Sequence, residues 1–161
     1  MPAYKNQTLR RYLQELSMRV PVPGGGSAAA LSGALGAALI SMVANYSVRK
    51  DKPKPTDGKI KGILCESEKI RKRLLEIVDL DAKAYLGVVK TRKASPRIKN
   101  AALKKAREVP FETCRLCYKA VELTPFLVEH GNQYLLSDIR VALELLTAAF
   151  NSALVNVEIN Q

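Results

Sequence analysis

Two aspartates one residue apart, Asp79 and Asp81, sit in a stretch with helical periodicity. At about 100° per residue, Ile70, Leu74, Ile77, Val78, Tyr85 and Val88 fall on one stripe, and Asp81 falls within it. Asp79 falls on another side, among Lys72, Lys83 and Lys90. Positions i and i+2 of a helix do not share a face. Asp79 is therefore expected to be a solvated surface charge, and Asp81 a carboxyl group aimed at apolar surroundings. Burial disfavours the ionised form and raises proton affinity, which suits general acid/base chemistry near neutral pH. The competing reading is a buried ion pair or an internal hydrogen bond.

Other polar groups repeat the pattern. Asp138 shares a helical face with Val141, Ala142, Leu145, Ala149 and Ser152, and Asn156 returns to that face after 18 residues, five full turns. Ser27 and Asn45 are likewise 18 residues apart, with Ala34, Ala38 and Ser41 between them. Three helices thus carry polar groups on faces that are otherwise small or apolar. Such faces can converge on a pocket between helices of a bundle. They can equally be three separate internal hydrogen-bonding solutions.

The turn Pro23-Gly24-Gly25-Gly26-Ser27 precedes a helix start. Exposed backbone N–H groups there, with the positive end of the helix dipole, favour an anion or a developing oxyanion. No Gly-Lys-Ser/Thr follows, so it is not a Walker loop. Cys114 and Cys117 form a CxxC without a second pair, and His130 is the single histidine. A structural zinc site needs four ligands, so no metal is expected and the cysteines are assigned to packing.

These groups must be positioned by helices. One amphipathic helix is expected over residues 7–19, with Leu9, Leu13 and Leu16 on one side. A second runs from about Ser27, as N-cap, to Val48. A breaker-rich loop, Lys52 to Gly58, leads to a long helix over about 60–92. Ala94-Ser95-Pro96 interrupts it, and helix resumes near Arg97. Pro110 suits a restart or kink, and the helix then continues to about Glu129. His130-Gly131-Asn132 ends it, and a last helix covers about 135–159. No segment alternates like a strand. The fold class is all-α: one domain, residues 1–161, a multihelical bundle of five or six helices around a buried Ala/Gly-rich central helix.

Val20 to Val48 contains no charged residue, a run of 29. Its body is Ala- and Gly-rich with few Leu or Ile, which favours a helix enclosed by other helices over a membrane span. The 161 residues carry 26 Lys and Arg against 15 Asp and Glu, a net charge of +11. Residues 49–73 hold ten basic and four acidic side chains, and residues 90–107 hold eight and none. Such density attracts polyanions, either nucleic acid or a polyanionic substrate tail. No nucleic-acid recognition motif stands out, and with no Trp and three Phe a base-stacking surface has little to build on. Three cysteines and a polar N-terminus without a signal-peptide pattern point to a reducing, cytoplasmic setting.

The run Pro21-Val22-Pro23-Gly24-Gly25-Gly26-Ser27-Ala28-Ala29-Ala30-Leu31-Ser32-Gly33-Ala34-Leu35-Gly36-Ala37-Ala38-Leu39, closing with Ser41-Met42-Val43-Ala44-Asn45, resembles the formimidoyltetrahydrofolate cyclodeaminase / methenyltetrahydrofolate cyclohydrolase family. The likeness continues at Asp79-Leu80-Asp81-Ala82-Lys83-Ala84-Tyr85 and at Ala106-Arg107-Glu108-Val109-Pro110. It extends to Gly131-Asn132, Ser137-Asp138 and Asn156-Val157 with Ile159-Asn160. The resemblance implies an all-helical homodimer acting on a tetrahydrofolate one-carbon derivative as substrate, with no separate cofactor. It implies an acid/base role for an aspartate of the Asp-x-Asp-Ala motif, carried to Asp81 because the helical wheel points the same way. It also implies a folate pocket lined by Pro23, Gly24, Gly25, Gly26, Ser27, Ser137 and Asp138, to which the polar faces add Asn45 and Asn156. The basic surplus would suit a polyglutamylated folate. Two rival readings are a non-catalytic folate-binding protein of the same fold, and a basic helical module for nucleic acid or acidic partners.

Overall fold

The computed structural model describes residues 3–48 and 53–159. After a 3-10 turn at Tyr4–Asn6 come α1 (Leu9–Ser17), α2 (Gly25–Ser47), α3 (Lys54–Lys90), α4 (Pro96–Glu122), α5 (Thr124–His130), a second 3-10 turn at Gln133–Leu135, and α6 (Leu136–Ile159). No strand occurs among the described residues. The all-α bundle expected from periodicity is the observed fold.

The Ala/Gly-rich segment is its axis. Ala30, Ala37, Ile40, Val43 and Ala44 of α2 are wholly buried, against Leu74 and Ile77 of α3 and Ala142, Leu146 and Ala149 of α6. Both neighbours run antiparallel to α2. Going up α2, Gly26, Gly33 and Ser41 meet Asp81, Leu74 and Ser67 of α3 in descending order. On α6, Gly33 and Gly36 meet Ala149 and Leu146. The close approach has a local cause at Gly36. A Cβ there would lie 2.7 Å from Leu146 Cγ and 3.0 Å from the Ala142 carbonyl oxygen, so any larger residue would push α6 away.

Two segments, Gly25–Ser47 and Gln133–Ile159, are long and apolar enough to cross a membrane by length and composition alone. In the first, α2 is enclosed by protein, as its small residues suggested. In the second, α6 packs one face on α2 and α4 and carries Asp138, Arg140, Glu144 and Glu158 elsewhere along its length.

Several expectations need correction. In α1 the buried residue is Tyr12, whereas Leu9 and Leu13 are exposed. The tyrosine ring supplies the apolar area and its hydroxyl finds a partner in the core, which turns the helix away from a leucine-facing orientation. Helix α2 starts at Gly25 with Gly24 as N-cap, so Ser27 is not the cap but a buried first-turn residue. Helix α3 begins at Lys54, because Pro55 is tolerated in a first helical turn; Lys52 lies outside the described residues. Pro110 neither restarts nor ends α4, which continues through it to Glu122. The break comes at Leu123, where Pro125 occupies the first turn of a separate α5. Asp79 is buried, not solvated. The Tyr4–Asn6 turn covers that side of α3, and the Lys5 main-chain N–H donates to Asp79 Oδ1 at 3.4 Å. A helical wheel cannot register a face covered by the chain's own N-terminal turn.

Candidate active site

The segment that leads into α2 passes through a cis Val22-Pro23 bond and lays Pro21, Val22, Gly24, Gly25 and Gly26 along one side of a cleft. Asp81, Ala84, Tyr85 and Val88 of α3 form a second side. Ala106 of α4 and Asn156 and Ile159 of α6 complete it. The cleft has a volume of about 350 Å³, within the range of small-molecule sites. Tyr85, expected in the buried stripe, is 46% exposed and forms cleft wall instead.

Asp81 is half-buried and lies against the first turn of α2. A Cβ on Gly26 would sit 2.6 Å from the Asp81 carboxyl carbon, so only glycine leaves room for this carboxyl. Burial pushes the Asp81 proton affinity up from the ordinary aspartate value, and a main-chain hydrogen bond from Ser27 partly opposes that rise. No other acidic or basic side chain is among the described residues that line the cleft.

Of the residues singled out from the sequence, Asp81, Gly24, Gly25, Gly26 and Asn156 come together on this cleft. Pro23 is buried behind the turn, and Ser27 is fully buried beneath it, sharing a 3.0 Å hydrogen bond with the Tyr12 hydroxyl. Asn45, Ser137 and Asp138 do not line it. Asn45 is exposed near the far end of α2, and Ser137 and Asp138 open α6. Eighteen residues restore the same helical face but advance about 27 Å along the axis, so neither Asn45 and Ser27 nor Asp138 and Asn156 meet in one pocket. Ser41 closes an internal pair, with Ser67 at 2.8 Å and the Ala37 carbonyl at 3.1 Å. Sequence reasoning missed Tyr12, whose signal was an aromatic residue between two exposed leucines.

The cysteines pack. Cys114 and Cys117 are buried, and burial pushes the Cys117 thiol up to about 12. Among the described residues no group of three or more His, Cys, Asp or Glu could hold a metal ion.

Residues 8–161 match the sequence profile of the family described as Formiminotransferase-cyclodeaminase. A methenyltetrahydrofolate cyclohydrolase of Methylorubrum extorquens is 36% identical over 165 residues, covering 96% of this chain and 79% of the relative. The formimidoyltransferase-cyclodeaminase of Rattus norvegicus is 31% identical over 95% of this chain, which spans 30% of that larger protein. The crystal structure of a formiminotetrahydrofolate cyclodeaminase from Thermotoga maritima superposes with a TM-score of 0.92 at 31% identity, covering 97% of this chain and 79% of the other.

The chain belongs to the formiminotransferase-cyclodeaminase family.

Burial disfavours the charged form of Asp81. A carboxyl whose folded-state pKa is raised contributes stability while protonated, and that contribution is lost as pH rises through the folded-state pKa. At neutral pH the ionised group therefore costs stability. Asp81→Asn removes the cost, so its melting temperature should exceed that of the wild type at pH 7 and converge with it below the ordinary aspartate range. Thermal melts from about pH 2.5 to pH 8, reaching below the ordinary aspartate pKa, provide the check. A uniform loss at every pH would show that the carboxylate is stabilising as it stands.

Proposed function

We propose that this protein is a methenyltetrahydrofolate cyclohydrolase that uses Asp81 as its acid/base group, at a site equally suited to cyclising formimidoyltetrahydrofolate with release of ammonia. The observation that carries the proposal is the Asp81 carboxyl, placed on a cleft wall where no other charged side chain is among the described residues. Methenyltetrahydrofolate is a cation at its one-carbon bridge, and a lone carboxylate in a partly dry cleft complements such a charge. The matching relatives include enzymes named for each of the two reactions.

In the hydrolysis, water adds to the methenyl carbon that bridges two folate nitrogens. Asp81 accepts the proton from that water as the C–O bond forms. One C–N bond then breaks with its electron pair passing to the nitrogen, which takes the proton back from Asp81, while the adduct's hydroxyl loses its proton to solvent as the C=O bond forms and the ring opens to the formyl product. In the cyclisation, a folate nitrogen attacks the formimino carbon. Asp81, protonated in that step, returns its proton to the departing amine. Both routes pass through a tetrahedral carbon and need one proton carrier, and burial raises the proton affinity of Asp81 above the ordinary aspartate value.

The pterin end of the substrate is assigned to the cleft between Gly24–Gly26 and Tyr85. Beyond it, Lys104, Lys105 and Arg107 are exposed around Ala106, which forms cleft wall. They offer a surface for a glutamate or polyglutamate tail. Nucleic acid is not favoured as the partner of this basic surface, since the cleft beside it carries an acid. No cofactor enters the reaction; the folate is the substrate. The setting is cytoplasmic.

We assign the active form as a homodimer formed on the outer face of α2 and α6. Ala28 and Ser32 of α2 line a shallow recess with Ala148, Ser152 and Val155 of α6; Leu35 lies one turn further along α2 and Val141 two turns before Ala148 on α6, with exposed Glu144 as an acidic neighbour on that side. Leu35, Val141 and Val155 are each at least half exposed. Two copies of a chain with net charge +11 repel least across such a face. Light scattering at micromolar concentration should give twice the 17.7 kDa chain mass, and Leu35→Lys should shift it toward one. A wild-type monomer would contradict the assignment.

Reduced folates should raise the melting temperature, and the protein should turn over methenyltetrahydrofolate, formimidoyltetrahydrofolate or both. Asp81→Asn should retain the thermal shift and lose about a hundredfold or more in kcat, the lower end of the range for removing an acid/base group. A loss below tenfold would remove Asp81 from that role. Folate binding without turnover would mark a binding protein. Strongly salt-dependent nucleic-acid binding with no folate effect on melting would mark the basic-module alternative.

A further inference from the structure

Tyr12 is buried in the core although α1 exposes both of its flanking leucines, Leu9 and Leu13. Its ring meets Tyr4 edge-on at 6.1 Å, and its hydroxyl reaches Ser27 Oγ at 3.0 Å. Ser27 lies in the first turn of α2, one residue after the glycine that makes room for Asp81. The Ser27 main chain is also the hydrogen-bonding group that favours the Asp81 carboxylate. A chain of contacts thus runs from α1 through the start of α2 to α3. We propose that Tyr12 is a positioning residue: its phenol pins Ser27, and Ser27 so held keeps the Asp81 carboxyl on the amino terminus of α2.

The geometry gives this link a purpose. The turn before α2 is rich in glycine, with open space around Gly24 and Gly25, so little side-chain packing fixes the first turn from the cleft side. The Tyr12–Ser27 bond fixes it from behind. Both residues are buried, so the bond is not in competition with water. The titratable groups that face Asp81 are Tyr85, from its own helix on the cleft wall, and Tyr12 from α1. The segments from α4 and α6 present Ala106, Asn156 and Ile159 there. Tyr4, Glu15 and Asp79 lie beyond Tyr12. Asp81 also acts on Tyr12, helping to raise the phenol's pKa after the larger effect of burial.

The proposal rests on Asp81 being the acid/base group, but its test does not require turnover. In the full chain with ¹³C-labelled aspartate carboxyls, the resonance absent from Asp81→Asn identifies Asp81, and its titration midpoint is read in wild type, Tyr12→Phe and Ser27→Ala. Tyr12→Phe keeps the ring and removes the hydroxyl. Weakening the Ser27 hydrogen bond to the carboxylate should raise the midpoint by about half a unit or more, the effect of loosening one hydrogen bond. Ser27→Ala should shift it the same way, and the double variant should add nothing further. In turnover, the acidic limb of kcat/KM should move upward with the midpoint, kcat should fall severalfold, and KM should stay within twofold. An unmoved midpoint in a folded Tyr12→Phe overturns the proposal, and Ser27→Ala decides it if Tyr12→Phe does not fold. If the wild type turns over neither folate, the proposed function fails while the titration still decides the role of Tyr12.

Discussion

A carboxyl group set against the amino terminus of the central helix is the constraint around which the molecule is arranged. Asp81 is withdrawn from water far enough to hold its proton more tightly than an ordinary aspartate, yet it borders a cleft. An ionised group in that position would be costly without compensation. The compensation is local: main-chain hydrogen bonding from Ser27 and the positive end of α2. It is available only because Gly26 lacks the Cβ that would occupy the carboxyl's place.

The rest of the bundle supports that contact. For the start of α2 to meet Asp81, α2 and α3 must run antiparallel at close range, and the small residues along α2 permit it. The same property on the opposite face admits α6, where Gly36 accepts Leu146 and the Ala142 carbonyl. The antiparallel pairing of α6 then carries Asn156 and Ile159 to the mouth of the cleft. Chemistry and packing thus draw on one feature, a core helix built of alanine and glycine. The buried carboxyl works against stability at neutral pH, because burial disfavours its charged form.

The fold class was legible because nearly every segment carries helical periodicity and none alternates. The central helix was legible from its composition, and Asp81 from its place in the apolar stripe. What escaped was information that angular position alone does not contain. Eighteen residues bring Asn45 back to the angle of Ser27, and Asn156 to that of Asp138, but the wheel ignores the axial rise that separates each pair. Asp79 was misplaced because an N-terminal turn covers its side of α3. The burial of Tyr12 over Leu9 and Leu13 depends on a hydrogen-bonding partner in another helix, which no single-helix pattern displays. The break at Leu123 was missed because Pro125 was not read as a first-turn proline.

The central claim is that the one-carbon group of a reduced folate is met by Asp81 at the start of α2. The most direct measurement is a crystal structure of the full chain with a stable 5-formyl reduced folate. The account predicts the pterin between Gly24–Gly26 and Tyr85, with the one-carbon substituent within hydrogen-bonding reach of the Asp81 carboxyl. Density for the ligand elsewhere on the bundle, with this cleft left to solvent, would contradict it.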